Sequence, residues 1–193
     1  MLDNLKNYNI ILASNSPRRR ELFGSLGLKF ETKILPGIDE SYPKELIGQA
    51  IPMHIAAKKA EAYRDHMADN DLIITADTIV HVKGEVLGKP TDAEDARRML
   101  HLLSGCWHEV ITGVSLMTKD IQHTFAVTTN VTFDNLTDEE IDYYIENYKP
   151  YDKAGSYGIQ EWIGLVGVSK IEGSYFNVMG LPVQRLYKEL QRF

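Results

Sequence analysis

A carboxylate inside an apolar strand is the residue that most strongly suggests chemistry in this sequence. Asp77 lies within the run 73–80, whose other members are apolar, β-branched or small. Burying a carboxylate there is costly unless it is paired, protonated or bound to a metal. Asp77 could therefore bind a metal or act as a general base. The simpler alternative is a strand-end carboxylate that faces water.

A hydroxyl-rich turn followed by two arginines is a second candidate. The run 14–19, Ser-Asn-Ser-Pro-Arg-Arg, follows a short apolar stretch over 8–13. Ser16 is a favourable N-cap and Pro17 suits the first helical position, so a helix should begin here. The free N–H groups of a helix N-terminus favour an anion, and arginine supplies fork-shaped donors for phosphate. The alternative is a capped helix with a solvated basic patch.

Two glycine-containing segments supply further polar candidates. The run 84–90 superficially suggests a P-loop, but it has one residue too few between its glycines and a proline where Ser or Thr is required. We reject that interpretation, although Lys89 could contact a phosphate as a point charge. In the run 151–160, two glycines would allow close backbone approach to a ligand. Gln160 offers both a donor and an acceptor to the edge of a base. An exposed turn is the alternative for both segments.

Several other polar residues are weaker candidates. Glu40 could join Asp77 as a hard oxygen ligand for Mg²⁺ or Mn²⁺, and Lys59 could point at phosphates. Each is more simply a solvated surface charge. The six histidines show no metal-binding spacing, and the single cysteine, Cys106, is expected to be a small residue in the core or at its edge.

The elements that must position these residues alternate between strand and helix. Strands are predicted over 8–13, 28–34, 72–82, 85–87, 109–118 and 121–133, with short strands in the Gly-rich stretch 151–180. Helices are predicted from Ser16 to Gly27, over 51–67, from a Thr91–Glu94 capping box to Leu103, from a Thr137–Glu140 capping box to Asn147, and from Pro182 to the end. This order predicts an α/β fold with a mixed sheet. Residues 1–193 are expected to form a single domain.

Composition narrows the function classes. The 193 residues carry a formal net charge of −6, which disfavours a general nucleic-acid binder. A small polyanion needs only a local basic cluster, so it remains a candidate substrate. One cysteine cannot form an internal disulfide, and the sequence has neither a signal-peptide pattern nor an apolar run of membrane-spanning length. A cytoplasmic protein without a membrane partner is the expectation.

Six strings in order resemble the Maf family of nucleotide pyrophosphatases. They are Leu12–Arg19, Ala76–Val80, Gly88–Pro90, Asp152–Gln160, Ile171–Tyr175 and Asn177–Pro182. The resemblance covers nearly the whole chain. It implies an elongated α/β fold with a mixed twisted sheet flanked by helices, two lobes around a central cleft, and a relation to the inosine triphosphate pyrophosphatases.

The resemblance also implies a reaction. Water attacks the α-phosphorus of a nucleoside triphosphate and pyrophosphate leaves, with Mg²⁺ or Mn²⁺ as cofactor and a homodimer as the assembly. Asp77 is the implied general base, and Glu40 and Asp77 are the implied metal ligands. The implied phosphate and substrate contacts are Ser14, Ser16, Arg18, Arg19, Lys59 and Lys89. This division of labour suits phosphoryl transfer, which depends on positioning and charge neutralisation.

Substrate choice is implied by which branch of the family the strings resemble. Ala76-Asp77-Thr78 together with Tyr157-Gly158-Ile159-Gln160 resembles the branch that acts on dTTP and UTP, with Arg18, Thr78 and Gln160 as specificity positions. The other branch acts on 7-methyl-GTP. One departure is Glu161-Trp162, where this branch usually has glycine and a turn of small residues; it bears on the base pocket or a nearby dimer contact. Two further alternatives are a non-catalytic nucleotide-binding regulator of cell division and a sugar-phosphate nucleotidyltransferase.

Overall fold

A seven-stranded mixed sheet flanked by helices forms the framework of the protein. The computed structural model describes residues 2–193. The strands are β1 (Asn9–Leu12), β2 (Glu31–Thr32), β3 (Asp71–Val82), β4 (Glu85–Leu87), β5 (Trp107–Met117), β6 (Gln122–Phe133) and β7 (Val168–Glu172). Their order is β2-β1-β3-β5-β6-β7, with β4 paired to β3. β1 is parallel to both β2 and β3, whereas β4 on β3 and β7 on β6 are antiparallel. The predicted mixed α/β fold is confirmed.

Seven α-helices accompany the sheet in the described part of the chain. They are α1 (Pro17–Gly24), α2 (Ala50–Glu61), α3 (Ala93–Leu103), α4 (Asp138–Tyr148), α5 (Trp162–Gly167), α6 (Tyr175–Val178) and α7 (Val183–Leu190). Within residues 2–193, no helix has the length and apolar character that crossing a membrane requires.

The chain divides into two compact units. The first contains the chain up to Asp77 together with 112–127 and 180–193, and the second contains 78–111 and 128–179. β3, β5 and β6 each contribute residues to both units. The first unit has an apolar cluster around Ile11, Ile73 and Met117. The second has a larger cluster that joins β3, α3, β6 and α4.

A buried histidine lies in the core of the second unit. His108 is completely buried, and its Nε2 is 2.7 Å from the hydroxyl of Tyr157. The rings of Phe133 and Tyr157 both meet the imidazole edge to face. Burial lowers the pKa of His108 to about 4, because this environment disfavours the charged imidazolium.

Local capping signals predicted several element ends correctly. Ser16 caps α1 by accepting from the N–H of Arg19. Thr137 and Glu140 form the predicted capping box at the start of α4. The long strands β3, β5 and β6 begin and end within two residues of their predicted limits.

Other element predictions were wrong. The Thr91–Glu94 box is replaced by Asp92, whose carboxylate accepts from the N–H of Asp95 at 2.8 Å, so α3 is capped one residue later than predicted. The strand predicted over 28–34 contains only β2, because four-residue β1 pairs with it at just two positions.

Two further boundaries differ from prediction. α2 was predicted to reach residue 67, yet it ends at Glu61 and a short 3-10 turn follows. Tyr63, just beyond its end, is buried and hydrogen-bonds to the loop at Lys33 and Leu35, which competes with continued helix. The Gly-rich stretch 151–180 contains helices α5 and α6 besides strand β7.

Candidate active site

The turn between β1 and α1 places two hydroxyls beside strand β3. Leu12 of β1 is in parallel register with Ile74 of β3, so the turn lies beside the continuation of β3 towards Asp77. The Ser14 hydroxyl accepts from the N–H of Ser16 at 3.2 Å, and the Ser16 hydroxyl caps α1. The hydrogen bonds within the turn therefore fix the start of the helix that carries both arginines.

Arg19 connects this turn to two other parts of the first unit. Its Nη1 donates to the carbonyl of Ala76 at 2.9 Å, and its Nε donates to the carbonyl of Gly180 at 2.8 Å. Burial lowers the pKa of the Arg19 guanidinium, and the nearby Asp77 partly opposes that effect. One of the five donors of Arg19 thus holds the backbone carbonyl next to Asp77 and a second holds that of Gly180, tasks that the sequence did not indicate.

An ammonium group lies between the two predicted metal ligands. Lys59 Nζ is 2.8 Å from Asp77 Oδ1 and 3.0 Å from Glu40 Oε1. The side chains of Lys59 and Asp77 are only 14% and 13% exposed, whereas that of Glu40 is 56% exposed. Glu40 and Asp77 both contact Lys59. The structure therefore brings into one cluster three residues that span 37 positions of the sequence. Water therefore screens the attraction between Lys59 and Asp77 weakly, and it screens the attraction between Lys59 and Glu40 more strongly.

Close packing of α2 against the sheet places Lys59 in this cluster. The Thr75 hydroxyl of β3 donates to the carbonyl of Ala56 at 2.6 Å, one turn before Lys59. Gly113 of β5 lies under the start of the helix, where a Cβ atom would come within 2.4 Å of the Pro52 backbone. Both residues set the height of the helix above the strands, and the position of Lys59 follows from it.

The loop that carries Glu40 is held by residues that sequence reasoning missed. Lys58 Nζ is 2.6 Å from Asp39 Oδ2, beside the pair formed by Glu40 and Lys59. The hydrogen bonds that Asp39 accepts from Lys58 and Ser41 lower the pKa of its carboxyl group. Two adjacent acidic residues thus pair with two adjacent lysines of α2. The matching pairs of opposite charge in the sequence could have indicated this contact.

Glu40 and Asp77 supply two carboxylates, the hard oxygen donors that a divalent cation such as Mg²⁺ prefers. Within the described residues, no group of three or more His, Cys, Asp or Glu side chains forms a ready metal cage. Mg²⁺ commonly binds through one or two carboxylates plus water and phosphate, so this arrangement suits it.

The second unit holds three further candidates. Half-buried Thr78 follows Asp77 in β3, Lys89 is exposed after β4, and Gln160 is exposed at the end of the loop formed by residues 151–160. This loop hydrogen-bonds beside Lys89, because the N–H of Gly155 donates to the carbonyl of Gly88 at 3.0 Å. Thr78, Lys89 and Gln160 therefore belong to segments of one unit.

The two glycines of this loop lie where an added Cβ atom would meet other parts of the protein. A Cβ atom on Gly155, which has a φ of +69°, would lie 2.8 Å from a methyl carbon of Val80. A Cβ atom on Gly158 would lie 2.8 Å from the carboxyl carbon of Glu161. The close neighbours of both glycines are thus side chains of the protein, and the approach of a ligand to this backbone stays a prediction.

Comparison with known proteins places this arrangement in a fold and then in a family. A solved HAM1 protein from Coxiella burnetii shares the fold, with a TM-score of 0.53 at 14% identity over 96% of this chain and 100% of that chain. The family model described as Maf-like protein matches residues 9–193. The chain belongs to the Maf family, as the motifs predicted.

Relatives that match along the full chain carry a common name. The dTTP/UTP pyrophosphatase of Phocaeicola vulgatus is 63% identical over 192 residues, which cover 100% of both chains. The dTTP/UTP pyrophosphatase of Parabacteroides distasonis is 58% identical over 193 residues, again with 100% coverage of both.

Proposed function

We propose that this protein hydrolyses dTTP and UTP to the monophosphates and pyrophosphate. The observation that carries the proposal is the pairing of Glu40 and Asp77 on Lys59, next to the turn from β1 into α1. The names of the full-length relatives support the same reaction and the same bases. Residues 1–193 act as one Maf-like domain in this proposal.

The chain's own residues would orient and deprotonate the nucleophile. A water oxygen attacks the α-phosphorus while Asp77 accepts the proton that it loses. The bond from the α-phosphorus to the bridging oxygen breaks, and pyrophosphate leaves with the electron pair. Lys59 is then an ammonium ion already beside the base, where it can neutralise phosphate charge.

Phosphate binding would depend on the cationic groups and the helix start. Arg18, Lys59 and Lys89 are assigned to the phosphates, with the Ser14 and Ser16 turn supplying N–H groups. Arg19 is assigned both to phosphate and to holding the backbone at Ala76. Glu40 and Asp77 would hold Mg²⁺ or Mn²⁺, which when bound neutralises charge on phosphate oxygens.

Base selection is assigned to Arg18, Thr78 and Gln160. An amide such as that of Gln160 can satisfy a donor and an acceptor on a pyrimidine at once. The proposal also holds that the enzyme is cytoplasmic and forms a homodimer. It further holds that the enzyme binds neither nucleic-acid polymers nor membranes. The net charge of −6 supports a small nucleotide over a polymer as substrate.

The deciding experiment is product analysis of purified protein with dTTP, UTP, CTP, GTP and 7-methyl-GTP, with and without Mg²⁺ or Mn²⁺. Metal-dependent release of pyrophosphate from dTTP and UTP is expected. Turnover of 7-methyl-GTP instead would keep the reaction and overturn the assignment of Thr78 and Gln160. Tight binding without turnover would favour the nucleotide-binding regulator.

Two substitutions test the base assignment separately from the reaction. Arg18→Ala and Gln160→Ala should change the ranking of nucleotides by kcat/KM, because each removes hydrogen-bonding groups assigned to the base. Gln191→Ala, which removes an exposed amide just after α7, is the control for loss of an amide. An unchanged ranking in both variants would contradict their assignment.

A further inference from the structure

A buried network of three side chains holds the loop segment that ends in Gln160. Its members are Tyr144 of α4, Lys153 at the start of the loop, and Glu161 directly after Gln160. Tyr144 is completely buried and Lys153 is 8% exposed. All three belong to the second unit, and the assignments above give none of them a role.

Glu161 occupies an N-cap position without acting as a cap. It precedes α5 in extended conformation, and its side chain accepts no hydrogen bond from the first turn of the helix. Its carboxylate is bound instead by the Tyr144 hydroxyl and by Lys153, whose Nζ is 3.1 Å from Glu161 Oε1. The charge at residue 161 therefore serves the loop rather than the helix.

The Tyr144 hydroxyl bridges the two sides of the segment. It donates to Glu161 and accepts from the N–H of Gly158 at 3.0 Å, so both of its hydrogen-bonding roles are used. Burial first, and then the bond to Glu161, raise the pKa of Tyr144 far above its ordinary value. The hydroxyl keeps its proton as a donor at any working pH.

Lys153 makes the carboxylate at position 161 difficult to replace. Its ammonium pairs with Asp152 at 2.7 Å and with Glu161 at 3.1 Å, and the side chain is only 9% exposed. A buried cation that loses one of two partners is strongly disfavoured. A Cβ atom added at Gly158 would meet both Glu161 and Lys153, so the same pair also packs closely beside the loop backbone.

These contacts fix residues 158 and 161, and only two residues lie between them. Ile159 is 5% exposed and belongs to the core of the second unit, whereas Gln160 is exposed. The N–H of Glu161 also donates to the carbonyl of Gly158 at 3.0 Å, which closes the turn. The direction in which Gln160 projects is thus set at both ends.

We propose that Glu161, through Tyr144 and Lys153, is a positioning residue that sets the pose of Gln160 and hence the choice of base. This inference rests on the proposed function for its effect on substrates. Its structural part, the ordering of residues 158–161, stands independently of catalysis.

Two variants and one control test the inference. Glu161→Gln keeps an oxygen for Tyr144 but removes the charge that Lys153 binds, and Tyr144→Phe removes the bridge itself. Loss of a bond to a charged group should raise the KM for dTTP and UTP roughly tenfold, with kcat nearly unchanged. In both variants, the ratio of kcat/KM for dTTP to kcat/KM for CTP should decrease. Tyr143→Phe, on the adjacent and exposed tyrosine, should match the parent protein.

Hydrogen exchange provides the readout that does not need turnover. The amides of residues 158–161 should exchange faster in Glu161→Gln and Tyr144→Phe than in the parent, while those of α3 stay protected. Unchanged exchange in this segment would overturn the inference even if the protein hydrolysed no nucleotide. Equal loss of kcat on every nucleotide together with a lower Tm would also overturn it, since that pattern marks a purely structural role.

Discussion

At the scale of single residues, the three-residue cluster of Glu40, Lys59 and Asp77 gives the sharpest expectation. Asp77→Asn and Glu40→Gln should each lower kcat by roughly 10²- to 10⁴-fold, since each removes a charge or a proton acceptor from the assigned reaction. Steady-state kinetics with dTTP at saturating Mg²⁺ would measure this. Glu61→Gln, an exposed carboxylate at the end of α2, is the matched control. Near-parent turnover in either site variant would remove that residue from the mechanism.

Arg19 should matter for stability as well as for substrate. Arg19→Gln leaves the carbonyls of Ala76 and Gly180 without their donors, which should cost about 1–3 kcal/mol for each group that stays buried. Urea unfolding would measure the loss. Arg20→Gln, the exposed neighbour in α1, should change the free energy of unfolding by less than about 0.5 kcal/mol. Equal stability of the two variants would show that Arg19 does not hold the backbone.

The sequence predicted the site residues that have local or motif signals, and it failed for those with distant partners. The Ser16 cap lies three positions from its partner, so its hydrogen bond can be inferred from spacing. Arg19 bonds to carbonyls 57 and 161 positions away. Every residue has a backbone carbonyl, so residue types do not indicate which carbonyl a side chain will bind. Only the folded structure reveals those contacts.

At the scale of elements, the contact of α2 with β5 offers a test of how Lys59 is positioned. Gly113→Ala would place a Cβ atom within 2.4 Å of the Pro52 backbone, so the helix must move away from the sheet. The expected cost is about 1–3 kcal/mol of stability, together with lower kcat because Lys59 moves with the helix.

A matched glycine provides the control for that displacement. Gly24, in the last turn of α1, has only an ordinary contact at 3.8 Å for an added Cβ. Gly24→Ala should leave both kcat and the urea midpoint near the parent values. If Gly113→Ala behaved in the same way, α2 would not depend on that glycine for its height above the sheet.

Element prediction succeeded where one strong signal acted alone and failed where two competed. β3 was predicted within one residue because its β-branched run had no competitor. At α3, Thr91 and Asp92 both suit a cap, and the carboxylate of Asp92 is the one that accepts from the helix. At α2, the helical pattern continued past Glu61, but Tyr63 is buried and its hydroxyl hydrogen-bonds to the loop at Lys33 and Leu35, which competes with continued helix.

At the scale of the whole molecule, His108 should make the free energy of unfolding depend on pH. Its folded pKa of about 4 lies below the ordinary value of 6.5, so the unfolded chain binds the proton first. The stability that depends on His108 being neutral is fully present above pH 6.5 and is lost as the pH falls towards 4. Between pH 7.5 and 5.5 the loss should be on the order of 1 kcal/mol.

Urea unfolding at those two pH values would measure the effect against a variant. His108→Phe should show a weaker decrease than the parent between pH 7.5 and 5.5, because it cannot take up the proton on unfolding. His66→Gln removes an exposed histidine and should retain the parent's decrease. An identical pH dependence in all three proteins would place the origin elsewhere.

The neighbouring positions of Asp77 and Thr78 in β3 have a consequence for inheritance. Successive residues of a strand face opposite ways, so gaining or losing one residue earlier in β3 would exchange the surroundings of the two side chains. Under the roles proposed for Asp77 and Thr78, rate and base preference would then fail in a single event, whereas point substitutions could alter one and spare the other. Descendants of this gene should therefore accumulate replacements between Asp71 and Thr78 while the number of codons between them stays constant.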